Sequence, residues 1–178
     1  TTVADTLSAH GRLDGLVNNA GGQFPAPLAA ISAKGWDAVV RNNLNGSFSM
    51  MREVFTQWMR GHGGAIVGVV APVDFGFPNM GHTGAARAGV INLTRVLALE
   101  WAGTGVTANA ICPGPFATEM NLPLLNDPVK YQEFVKKIPM GRWGELDELA
   151  GAVVFLASPA SSFITGASLF VDGGWTAQ

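Results

Sequence analysis

Thr83 and Arg87 stand four residues apart in a run of small side chains, His82-Thr83-Gly84-Ala85-Ala86-Arg87-Ala88-Gly89-Val90. On a helix, positions i and i+4 share a face, so a hydroxyl and a fixed cation would point the same way. A guanidinium stays protonated and donates hydrogen bonds but relays no proton. A threonine hydroxyl donates or accepts a hydrogen bond but cannot be tuned to a strong acid or base near neutrality. The pair therefore suits stabilisation of a developing oxyanion better than proton abstraction. The small residues around it let a backbone or a flat ligand come close. Each residue also has a plainer reading. Thr83 is a good helix cap, Arg87 a surface or interface charge, and His82 a polar loop residue.

Other polar groups stand at element ends. Asn18-Asn19-Ala20-Gly21-Gly22 follows a short apolar run, Asn43 lies among Asn42, Asn45 and Gly46, and Pro113-Gly114-Pro115 precedes Thr118. Their plain readings are a tight turn, a break between helices and turn chemistry. No His, Cys, Asp and Glu grouping has metal-ligand spacing, so no metal is expected. Cys112 reads as a buried small apolar residue, and His10 and His62 as surface residues. Glu145, Asp147 and Glu148 read as helix-start charges.

The elements that must position these residues follow from periodicity and punctuation. Thr1 to His10 reads as the tail of an amphipathic helix stopped by Gly11. Leu13 to Val17, Ala65 to Val70, Val106 to Ile111 and Ser168 to Val171 read as strands. Ser32 caps a short helix through Val40, and a second helix runs to about Arg60, with Leu44, Phe48, Met51, Phe55, Trp58 and Met59 at helical spacing. Asn42 to Gly46 marks their junction. The long helix runs from Gly84 to Trp101 and is stopped by Gly103 and Gly105. Asn121 to Asp127 reads as loop, and Pro128 to Lys137 and Glu145 to Ala157 as helices. Strands alternating with helices predict an α/β fold, a parallel sheet with helices on both faces. Ligands bind at the carboxyl ends of such strands, which places chemistry near Ala71 to Arg87.

Composition bounds the function. The 178 residues suffice for one domain, with 48% apolar and 13% charged side chains. A net charge of −2 without a basic tract argues against nucleic acid and anionic membrane as partners. No apolar run reaches membrane-spanning length, and no charged-then-apolar leader opens the chain. The single cysteine fits a reducing, cytoplasmic compartment. Nothing ahead of Leu13 supplies the strand and Gly-rich turn that open a dinucleotide fold. Residues 1–178 are therefore expected to form the C-terminal portion of a single Rossmann-type domain, a doubly wound sheet lacking its N-terminal strands.

Five stretches, in order, carry a resemblance. They are Asn18-Asn19-Ala20-Gly21; Asn43-Leu44 with Gly46; the small-residue helix start through Ala98-Leu99-Glu100; Pro113-Gly114 with Thr118; and Val171-Asp172-Gly173-Gly174. Through them the whole chain resembles the short-chain dehydrogenase/reductase superfamily. Gly21 to Trp101 is similar to peroxisomal trans-2-enoyl-CoA reductases, and Met140 to Gln178 to sugar-acid and ketoacyl reductase branches. The resemblance implies NADP or NAD as cofactor, a small-molecule substrate, in one branch an acyl-CoA, and a homodimer or homotetramer. The family's catalytic Asn falls on Asn43. Its Ser would stand where this chain has Val70 and Ala71, its Tyr falls on Thr83 and its Lys on Arg87. The resemblance puts Asn18, Asn19, Ala20 and Gly21 near the adenosine half of the cofactor, Arg87 on the nicotinamide ribose, and Pro113, Gly114 and Thr118 near the nicotinamide amide. Reduction of a conjugated enoyl thioester would suit this altered set, with Arg87 stabilising the enolate and water supplying the α-proton. A binding or assembly module that has lost the tetrad is the alternative reading.

Overall fold

A computed structural model describes residues 2–73 and 76–177. The expected first helix residue, Thr1, the loop positions Asp74 and Phe75, and the terminal Gln178 lie outside the described residues. Four parallel strands stand in the order β1 (Gly15–Asn18), β2 (Gly64–Val69), β3 (Val106–Pro113) and β4 (Ser168–Val171). Their registers pair Asn18 with Gly68, Val69 with Ile111 and Pro113 with Val171, so all carboxyl ends lie along one side of the sheet.

Helices cover both faces. α1 (Thr2–His10), α2 (Ala33–Val40), α3 (Gly46–Val54), α4 (Arg60–His62) and α5 (Gly81–Trp101) precede β3, while α6 (Leu122–Leu125), α7 (Pro128–Val135) and α8 (Leu146–Leu156) lie between β3 and β4. On one face, Val3 of α1, Met51 and Val54 of α3, and Val90, Ile91 and Leu97 of α5 pack with Ile66, Ala108, Ala110 and Cys112 of the sheet. On the other, Leu149, Val153 and Leu156 of α8 pack with Val67 and Ile111. The alternation of Ile66 with Val67 and of Ala110 with Ile111 between the two layers is the period of two that a strand buried on both faces requires. Each fully buried aliphatic side chain contributes about 1.5–3 kcal/mol, which makes the α5 stripe a main tie between helix and sheet.

Three sequence expectations need correction. The Asn-rich junction is not a break, because residues 33–62 run on as one helical rod. The π turn Arg41–Asn45 takes up the misfit, with the Gly46 N–H bonding the Arg41 carbonyl five residues back. A second π turn, Phe55–Met59, follows. Widened turns let poor helix formers stay inside a helix, and such turns recur at functional sites. The loop Asn121 to Asp127 contains α6, a short turn with Pro123 near its start. The long helix starts at Gly81, three residues ahead of the expected Gly84. It ends at Trp101 and tightens into a 3-10 turn, Ala102–Thr104, closed by Gly105 at φ 76°, a left-handed conformation that suits glycine. Among the described residues, no helix is long and apolar enough to cross a membrane.

Candidate active site

Three segments distant in sequence meet at the carboxyl ends of β1 and β2. Arg87, near the start of α5, donates from Nη1 to the carbonyl of Val69, the last residue of β2, at 2.6 Å. Its surroundings lower its pKa through loss of solvation, yet an arginine so far above neutrality remains a cation. Gly21, in the loop after β1, lies against it. A methyl group at Gly21 would sit 2.5 Å from Arg87 Nη2 and 2.6 Å from Asn43 Oδ1. Any side chain at position 21 would therefore have to push one of the two polar groups aside.

Asn43 is fully buried in the π turn. Its Nδ2 donates to the carbonyls of Gly22 at 2.7 Å and Val39 at 2.8 Å, which fixes the amide's orientation. Its own carbonyl accepts the Ser47 hydroxyl at 2.7 Å. Oδ1 has no partner. A buried acceptor left unmade costs roughly 1–3 kcal/mol, and here it opens beside a cation with donors to spare. The acceptor and the guanidinium stand close together on either side of Gly21.

The α5 start departs from both sequence readings. Thr83 does not cap the helix. Met80 occupies that position without a side-chain bond, and Thr83 lies fully buried inside the first turn. His82 is no loop residue. It too is fully buried, and its Nδ1 accepts the Thr83 backbone N–H at 2.8 Å and lies 3.3 Å from Thr83 Oγ1. Its ring meets Phe24 edge-on, with centroids 4.5 Å apart and planes at 84°. Its Nε2 has no hydrogen-bond partner. The sequence carried no clear signal for His82, whose burial depends on Phe24 from a distant loop.

The other expected cofactor residues divide. Asn18 is buried and donates from Nδ2 to the Ser47 carbonyl at 3.1 Å, tying β1 to α3. Asn19 and Ala20 follow β1 as exposed loop. Pro113 ends β3, and the Gly114 N–H continues the ladder to the Val171 carbonyl at 3.0 Å. A methyl at Gly114 would lie 2.5 Å from Asp172 Cβ, so that face of the glycine is taken by the β4 end. Thr118 bonds the Phe116 carbonyl through its N–H at 2.9 Å, and its Oγ1 accepts from Asn121 at 3.3 Å. The structure thus gathers Gly21, Asn43 and Arg87 at one point and holds Pro113, Gly114 and Thr118 along the neighbouring part of the same sheet edge. Small residues of α5 also serve packing, since Gly89 seats Leu44, whose methyls would lie 3.1 Å from a Cβ there.

Comparison with known proteins accords with this architecture. The family model described as enoyl-(acyl carrier protein) reductase matches residues 1–176. The chain is 43% identical to a solved structure of citronellol catabolism dehydrogenase (AtuB) from Pseudomonas aeruginosa PAO1, with TM-score 0.85, covering 98% of this chain and 67% of that one. It is 38% identical to a gluconate 5-dehydrogenase from Burkholderia cenocepacia J2315, solved with NADP and tartrate, with TM-score 0.93 and coverage of 99% and 69%. It is 37% identical to the peroxisomal 2,4-dienoyl-CoA reductase of Danio rerio, covering 97% of this chain and 58% of that protein. The chain therefore spans roughly two thirds of the length of such relatives. A parallel sheet of this order, the shared carboxyl edge and a match along nearly the whole chain leave one assignment: the chain belongs to the short-chain dehydrogenase/reductase superfamily.

Proposed function

We propose that the chain is part of an NAD(P)-dependent oxidoreductase that reduces an activated double bond, such as that of an enoyl-CoA thioester. The observation that carries this reading is the meeting of Asn43 Oδ1, Gly21 and Arg87 beside a threonine instead of a phenol. Arg87, which keeps donors beyond its bond to Val69, would hold a ribose hydroxyl of the nicotinamide half of the cofactor, and Asn43 would hold the Gly22 loop beside it. The gluconate 5-dehydrogenase relative was solved with NADP, which supports the same group here. When bound, the reduced nicotinamide supplies a hydride to the β-carbon of the substrate. Arg87 keeps positive charge at the site throughout the pH range of a folded enzyme. Thr83 donates a hydrogen bond to the thioester oxygen as charge develops there. Water delivers the proton to the α-carbon, because neither Thr83 nor Arg87 can give one up. A secondary alcohol needs a base to take its proton, and the described site offers none of suitable strength. The Danio rerio relative, a 2,4-dienoyl-CoA reductase, supports an acyl-CoA substrate.

The deciding experiment follows NADPH and NADH consumption by the full-length protein with a medium-chain trans-2-enoyl-CoA, beside oxidation of gluconate with NADP. Turnover of the enoyl thioester with little alcohol oxidation near neutrality is expected. The reverse preference would sink the reading. We further expect a homodimer or homotetramer, since Phe48 on α3 and Val96 and Leu99 on α5 stay 45%, 38% and 85% exposed and form an apolar surface. Light scattering would show a multiple of the protomer mass; a monomer at micromolar concentration would contradict it.

A further inference from the structure

We infer that His82 is a positioning residue for this site, and that it acts as a neutral ring protonated on Nε2. The inference rests on the proposed reading of Thr83 as the oxyanion donor. Its first ground is the direction of one hydrogen bond. A backbone N–H can only donate, so the Nδ1 that receives the Thr83 N–H at 2.8 Å must carry the lone pair. The ring proton then sits on Nε2, the atom left without a partner in the interior.

The second ground is what this does to Thr83. Its hydroxyl lies 3.3 Å from the same Nδ1, a long contact to a lone pair already engaged by the N–H. The hydroxyl is steered toward the ring but not tightly bound there, so its proton is not committed to the imidazole. His82 cannot act as a base for Thr83. A proton on Nδ1 would face the Thr83 N–H, two donors opposed in a buried space. The ring therefore sets where the hydroxyl stands and does not change its charge.

The third ground is the other side of the ring. Phe24 packs edge-on against it, and Phe24 belongs to the loop that carries Gly21 between Asn43 and Arg87. The Ala26 N–H bonds the Asn79 carbonyl at 2.8 Å, so the same loop is latched to the turn just ahead of α5. One buried imidazole thus touches both the hydroxyl-bearing turn and the loop beside the cation.

The test uses the full-length enzyme. His82→Phe keeps a ring for Phe24 but has no acceptor. His82→Asn offers an acceptor near the Nδ1 position, and His82→Gln an amide near Nε2. His82→Phe should lower kcat roughly three- to tenfold, the worth of one neutral hydrogen bond, with cofactor affinity unchanged. His82→Asn should recover most of that loss and His82→Gln little. Recovery by Gln alone, or unchanged kcat in a folded His82→Phe, would overturn the inference. In a Thr83→Val background His82→Phe should cost nothing more; an additive loss would mean that His82 acts elsewhere. If Thr83→Val by itself leaves kcat untouched, the reading of Thr83 as donor fails and takes this one with it, an outcome separable from failure at His82 alone. Imidazole nitrogen resonances of the unaltered enzyme give a readout free of folding defects. A protonated Nε2 with bare Nδ1 is expected, and an imidazolium or the opposite tautomer would refute it.

Discussion

The two halves of the sheet's carboxyl edge are built on opposite plans. At the ends of β3 and β4 the carboxylate of Asp172 is fully engaged, although the buried Nε1 of Trp143, next to the Gly144 that bonds Pro115, has no partner. Asp172 Oδ1 accepts the Gly174 N–H at 3.0 Å, and Oδ2 accepts both the Thr176 N–H at 3.0 Å and its hydroxyl at 2.6 Å. Gly114 is pressed against that aspartate. At the ends of β1 and β2 two fully buried side chains, Asn43 and His82, each keep a polar atom without a partner. Buried polar groups are normally paired, and an exception calls for a reason. The bare acceptor of Asn43 differs from the bare donor of Trp143 in lying close to a cation, Arg87, and that is what marks the β1–β2 end as the site. Motifs of similar look in the sequence, Asn18 to Gly22 and Val171 to Gly174, therefore carry different weight.

The sharpest way to break this contrast is Arg87→Ala. One charge-assisted hydrogen bond is worth about 1.5–3 kcal/mol, so cofactor affinity and turnover should each fall roughly ten- to a hundredfold. Cofactor titration and steady-state kinetics would show it, and unchanged values would leave the β1–β2 end without a function. Arg87→Lys with Thr83→Tyr should bring a partial gain of ketone reduction, since the phenol can be lowered toward neutrality by the neighbouring ammonium.

A matched pair of substitutions separates the two ends next. Gly21→Ala pushes a methyl into Arg87 and Asn43, and the guanidinium, being the far end of a flexible chain, gives way. The expected result is cofactor binding weakened about tenfold with only a small loss of stability. Gly114→Ala meets Asp172 at 2.5 Å from Cβ and 2.6 Å from Cα, where backbone must shift. Overpacking of that kind costs about 1–3 kcal/mol, and thermal unfolding should move down by roughly 2–4 °C per kcal/mol. If Gly21→Ala unfolds the protein while Gly114→Ala weakens the cofactor, the division between brace and site is the wrong way round.

The same contrast explains what was legible in the residues alone. The four strands were, because each is a short apolar run with Gly, Pro, Asn or Asp within three residues of its end, and the parallel order follows from the helices between them. The candidate site was legible as far as the spacing of Thr83 and Arg87 suggests a pair on one helix face and the family resemblance adds Asn43. Its assembly was not. Nothing in a string of residues tells that Asn43 spends both amide hydrogens on Gly22 and Val39 and leaves Oδ1 bare, since that depends on a π turn and a loop folding over it. Propensity reads Asn42 to Gly46 as a break, but tertiary packing, such as Leu44 seated on Gly89, holds the segment helical. His82 was misread for a related reason. A polar residue at the edge of a helix is judged by its type, and its burial is decided by Phe24 from another segment.

The smallest expected effect lies on the saturated side, at the start of α8. Glu148 accepts both guanidinium arms of Arg142 at 2.7 Å and reaches back to the Glu145 N–H at 2.8 Å, closing a capping box. The paired guanidinium first, and then the backbone N–H, hold its carboxyl at about 2, well under the usual 4.5. A carboxylate depressed by folding stabilises the folded state above its unfolded pKa. That support is present above about pH 4.5 and drains away as pH falls toward about 2. Both side chains are nearly half exposed, at 46% and 43%, so solvent and salt blunt the pair. Glu148→Gln keeps a side chain able to close the box but loses the ion pair. Its unfolding midpoint should lie slightly below that of the unaltered chain at pH 7. The gap should narrow between pH 4.5 and 2 and in molar salt, with cofactor affinity and kcat unmoved. A pH-independent gap would deny the ion pair its part, and a loss of cofactor affinity would mean that the start of α8 belongs to the site.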